Sequence, residues 1–78
     1  MKLFLLSQTE NSGYDTYDSM VVAAEDEESA RMTLPGCASF GTEYPSWAYS
    51  PAGVTVAFLG TAKDGTLPGV ILASFNAG

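Results

Sequence analysis

An α+β fold in the order β-β-α-β-β is predicted by three features of this sequence. Two apolar, β-branched runs near the N-terminus are separated by turn residues, an acid-capped helical segment follows, and two glycine-bounded apolar runs close the chain. The simplest closure is a mostly antiparallel four-stranded sheet carrying one short helix. At 78 residues this is a single domain, 1–78, with an irregular aromatic loop over about 34–53.

Lys2 to Gln8 reads as a strand buried on both faces, because Leu3, Phe4, Leu5 and Leu6 leave neither parity polar. Asn11-Ser12-Gly13 signals a turn. Tyr14 to Ala24 alternates and holds Tyr14, Thr16, Tyr17, Val21 and Val22, which predicts a second strand. The pair makes an antiparallel hairpin whose loop is longer than a two-residue turn.

Glu25 to about Thr33 changes character. Asp26 has the chemistry of an N-cap, Glu27 and Glu28 suit the first turn, and Arg31 suits the last. Leu34-Pro35-Gly36 ends the helix, since the residue before proline is pushed out of helical space. Two turns do not stand alone, so Ala30 and Leu34 are expected to pack on the sheet.

Leu34 to Gly53 contains three prolines, three glycines and the rings of Phe40, Tyr44, Trp47 and Tyr49. So long an irregular stretch in a small domain points to a functional role. Val54 to Leu59 reads as a strand stopped by Gly60. Lys63-Asp64-Gly65 and Pro68-Gly69 are turn chemistry, Val70 to Phe75 is the last strand, and Asn76-Ala77-Gly78 is a polar tail. One short helix covers a sheet face incompletely, and the first and last strands are apolar at both parities. Either the aromatic loop covers the second face or another chain does.

The nine acids outnumber Lys2, Arg31 and Lys63 for a net charge of −6, and seven of them lie within the first 28 residues. Three scattered cations make no basic patch, which excludes direct binding to nucleic acid or to an anionic membrane. The charge suits a protein partner with a basic surface, or simply solubility. A charged share of 15% also leaves apolar surface for a partner or for a homodimer contact. Cys37 is the single cysteine, so no internal disulfide forms and a reducing cytoplasm is expected. The apolar run Leu3 to Leu6 falls short of the roughly 7–15 residues of a signal core, and no stretch approaches the ~20 of a membrane span.

Catalytic chemistry finds few candidates. With no histidine, Ser-His and Cys-His nucleophiles and His-based metal sites are excluded. Cys37 sits in the uncharged stretch Leu34 to Phe40, with nothing to lower its pKa. The run Glu25-Asp26-Glu27-Glu28 enters a helix at about 100° per residue, so its carboxylates splay instead of converging on a metal. Asp15 and Asp18 face opposite sides of a regular strand, which argues against a carboxylate pair. No glycine-rich phosphate motif occurs. Neither metal nor cofactor is expected, and the chain reads as non-enzymatic. Trp47 either caps the sheet or serves as a protein-binding hot spot.

The segments Lys2-Leu3-Phe4-Leu5-Leu6-Ser7-Gln8, Gly13-Tyr14-Asp15-Thr16-Tyr17-Asp18-Ser19 and Val21-Val22-Ala23-Ala24-Glu25 resemble small uncharacterised acidic proteins encoded by bacteriophages and prophages. The ending Val70-Ile71-Leu72-Ala73-Ser74-Phe75-Asn76-Ala77-Gly78 is similar to theirs as well. The likeness covers both ends, roughly half the chain, and not the aromatic loop. It implies an anti-defence setting in a bacterial host, where acidic anti-CRISPR proteins imitate DNA by offering carboxylates to a basic channel. No contact residue carries across from it. The expectation is an inhibitor that docks Asp15, Asp18, Glu25, Asp26, Glu27 and Glu28 onto a basic nucleic-acid-binding surface, with Tyr14 and Tyr17 as apolar anchors. The alternative is a homodimeric assembly module that uses an uncovered sheet face.

Overall fold

The computed structural model describes every residue except Cys37, Tyr44, Ala77 and Gly78, so the readings of Cys37, of Tyr44 and of the last two tail residues lie outside it. The β-β-α-β-β order is present. Strand β1 spans Lys2–Ser7 and β2 spans Thr16–Ala24; helix α1 is Glu27–Arg31, β3 is Thr55–Thr61 and β4 is Gly69–Asn76. One turn of 3-10 helix, Pro51–Gly53, leads into β3. The strands form one sheet in the order β3-β1-β2-β4, and every neighbouring pair is antiparallel.

That order dictates where the chain must cross. Strands β2 and β3 both run antiparallel to β1, which lies between them, so the link from β2 to β3 passes over β1. Helix α1 and the aromatic loop make this crossing on a single face. Phe4, Leu6, Met20, Val22 and Ala24 of that face are buried against Ala30, Trp47, Ala48 and Val54, with Leu34 and Phe40 packed at the margin. Trp47 is fully buried, and its indole N–H has no acceptor among the described residues. The link from β3 to β4, residues 62–68, joins opposite edges of the sheet. Three strand spacings of about 4.8 Å are within reach of seven residues. Its first residue, Ala62, donates to the Met1 carbonyl at 3.0 Å.

The helix forms where its cap is. Asp26 Oδ1 accepts from the Ser29 N–H at 2.7 Å, and this bond holds the Asp26 carboxyl below its ordinary value. Arg31 lies 3.6 Å from Glu27 and donates to the carbonyls of Pro51 and Val54, tying the end of α1 to the chain as it re-enters the sheet. Ala30 is buried on the sheet, as the shortness of the helix requires.

Five expectations are corrected. Strand β1 is buried on one face only, since Phe4 and Leu6 are covered while Leu5 is exposed. The aromatic loop joins the helix on the same face and does not cover the second one, where Leu5 and Leu72 stay exposed while Ala23, beside Met1 and Pro68, is buried. Gly60 does not stop β3. It lies within the strand at φ 152°, beside a register shift where β1 moves from Leu3 to Phe4. Asp15 is not on β2 but precedes it at φ 58°, a left-handed conformation that aspartate tolerates, so alternation along a strand does not describe Asp15 and Asp18. Trp47 is core and offers no surface to a partner.

Candidate interaction surfaces

The bare face is defined by the pairing register. Its middle row crosses all four strands as Ala57, Leu5, Val21 and Leu72, each opposite the next. On one side of it runs a row of hydroxyls, Thr55, Ser7, Ser19 and Ser74; on the other runs Gly60, Leu3, Ala23 and Gly69. None of these register positions carries a charge. Leu72 is 70% exposed and Leu5 38%. Between these two leucines lies a hollow of about 460 Å³, with Val21, Ser19 and Ser74 among its lining. Asp18 borders the hydroxyl row: the register of β2 against β4 skips it, and it accepts the Ser19 hydroxyl at 3.0 Å.

A second surface forms at the end of the sheet where β2 begins. Gln8 is buried there although polar. Its amide donates to the carbonyls of Asn11 and Tyr17 and accepts from the Asn11 N–H, which shapes the hairpin loop. Asn11 in turn donates to the carbonyls of Pro45 and Trp47, so the hairpin loop and the aromatic loop are fastened together. Tyr14, Asp15, Glu43 and Tyr49 line an open hollow of about 350 Å³ at this junction. Tyr14 is 78% exposed and Tyr49 about half exposed. Glu43 escaped the sequence reading because it is distant in the chain from Asp15, and only the Asn11 contacts bring their loops together.

The acidic contact set expected from the sequence is not one surface. Asp15 and Asp18 lie at the start of β2, while Glu25, Asp26, Glu27 and Glu28 follow its end. Seven steps of extended chain, from Asp18 to Glu25, separate the two groups by about 23 Å at their nearest. Tyr17 is not a free anchor, because its ring packs on Phe75 with centroids 4.7 Å apart and its hydroxyl lies against Gly36. Among the described residues no three His, Cys, Asp or Glu side chains converge on a metal-sized site, and no helix is long and apolar enough to cross a membrane. No protein-family model, curated protein or solved structure matches the chain.

Proposed function

We propose that this chain is a non-catalytic interaction module whose working surface is the open face of its sheet. The observation that carries this reading is the row Ala57–Leu5–Val21–Leu72. Apolar side chains span four strands, no charged side chain occupies the rows beside them, and none of the crossover residues in the described core lies over them. Exposed apolar patches of this kind mark protein contacts. The setting proposed is a reducing bacterial cytoplasm, in keeping with the lone Cys37. The test is a photo-crosslinking side chain at position 57 or 72 in the producing cell. Discrete adducts are expected from both positions and none from position 52, which is exposed on the 3-10 turn away from the face. Silence at 57 and 72 removes the reading.

A second reading has its own observation, the meeting of Tyr14 and Tyr49 with Asp15 and Glu43 around one hollow. Two rings and two carboxylates suit a lysine or arginine side chain, held by cation–π and charge attraction. This narrows the basic partner to one end of the molecule and leaves Glu25 to Glu28 outside the contact. An inhibitor of a nucleic-acid-binding host complex is the setting that the phage resemblance implies for such a contact. Binding of a lysine- and arginine-rich peptide should weaken steeply with salt and with Asp15→Asn combined with Glu43→Gln. Affinity unchanged by both discards this reading.

A further inference from the structure

We infer that the occupant of the open face is a second copy of this chain, packed face to face about a two-fold axis. This rests on the reading of that face as the working surface.

Charge is the first argument. The whole net charge of −6 falls within residues 1–43, where Lys2 and Arg31 oppose eight acids, and beyond them Lys63 and Asp64 cancel. Two such molecules repel least where the fewest carboxylates stand, and the three rows of the open face hold none, with Asp18 at their margin hydrogen-bonded to Ser19. A partner with charged side chains in its contact would bury them unpaired against Leu5 and Leu72, at a cost that excludes it. The occupant is therefore flat, uncharged, partly apolar and partly hydroxylic, and the chain's own face meets that description.

Shape is the second. Leu5 and Leu72 rise on either side of Val21 and bound the hollow of about 460 Å³. A two-fold axis along the strands through the middle of the row sets the large Leu72 of each copy over the small Ala57 of the other and Leu5 over Val21, as an isologous contact requires. Because the apolar row is the middle one, it stacks on itself whether the axis runs along the strands or across them. The flanking rows are small side chains apart from Leu3, which lets two sheets approach to the usual ~10 Å.

Area sets the strength. Four strands about 4.8 Å apart and six residues at about 3.3 Å each outline roughly 19 by 20 Å. That is about 380 Å² per copy and about 760 Å² in total before side-chain relief, below the roughly 1,000 Å² that a stable specific interface clears. The dimer is accordingly weak and concentration-dependent, and like-charge repulsion between the acidic ends makes it tighter in salt.

Sedimentation equilibrium of the full chain tests this across concentration at low and high salt. The mass should rise from 8.2 kDa toward twice that value, and further at high salt. Leu72→Glu should weaken the dimer at least about tenfold by setting carboxylates into the contact. Leu67→Glu, at a site 79% exposed in the 62–68 link, should leave it intact. A mass fixed at 8.2 kDa throughout, or equal effects of the two variants, overturns the proposal. The crosslink at position 57 separates the two levels. An adduct of twice the chain mass supports the second copy, and an adduct of another mass overturns it while leaving the docking face standing. No adduct overturns both.

Discussion

Leu72 and Ala73 are neighbours in β4, yet they belong to different environments. Ala73 packs at the edge of a core that holds Trp47 at zero exposure, whereas Leu72 stands 70% exposed. The two faces of this sheet are built from similar residues, Phe4 and Leu6 on one and Leu3 and Leu5 on the other. Composition does not separate them. Chain routing does, because the crossover from β2 to β3 has to pass one face or the other, and its described core residues, from Ala30 to Val54, all pack on the same one. A face thus becomes core through the connection laid on it, and an equally apolar face without a connection becomes surface.

The sharpest test of that difference is truncation on either side of the sheet. Trp47→Ala should cost about 3–5 kcal/mol, as large-to-small changes at fully buried aromatics do. A domain of this size holds only about 5–15 kcal/mol in total, so the urea transition should collapse toward zero denaturant. Leu72→Ala should move that transition by no more than about 0.5 kcal/mol at concentrations where the chain is monomeric. Comparable losses at both positions would mean that the open face is covered in the monomer.

Much of the covered face was legible in the sequence. Asp26 at the helix start, Pro35 beyond its end and the glycine-bounded runs near 54–59 and 70–75 place α1, β3 and β4 by local chemistry alone. What was not legible depends on contacts distant in the chain. The strand order β3-β1-β2-β4 decides which parity of β1 is buried, and no local signal records it because both parities are apolar. The acids at 15, 18 and 25–28 look like one cluster on paper, but β2 lies between them and draws them apart. The hollow of Tyr14, Asp15, Glu43 and Tyr49 needs Asn11 to bridge to Pro45 and Trp47. Its one sequence signal is the concentration of tyrosines in the two loops that Asn11 joins.

Two substitutions probe how the crossover is held down. Gly36 adopts φ 54°, and a Cβ there would lie 2.7 Å from the Tyr17 hydroxyl. Gly36→Ala should therefore cost about 1–3 kcal/mol in urea unfolding, from backbone strain and this clash together. Adding Tyr17→Phe should recover the clash and not the strain, and full recovery would show that strain at Gly36 is negligible. Arg31→Met removes the donor shared by the Pro51 and Val54 carbonyls and should cost about 1–2 kcal/mol. Arg31→Lys should restore only part of it, since an ammonium lacks the planar fork.

Acid separates the two faces with the smallest perturbation. On the covered face the Ser29 N–H keeps the Asp26 carboxyl below its ordinary value of 3.8, so the folded pKa is depressed relative to the unfolded one. The cap's contribution is then fully present above that ordinary value and is lost as pH falls through the lower folded value. Asp26→Ala should lower the urea midpoint at pH 7, and its difference from the parent chain should vanish in strong acid. The open face has no such cap, because no titratable side chain occupies its three rows. The small effect of Leu72→Ala on the urea midpoint should therefore be the same at pH 7 and in acid. A Leu72→Ala difference that disappeared together with that of Asp26→Ala would mean that a carboxylate closes over the open face.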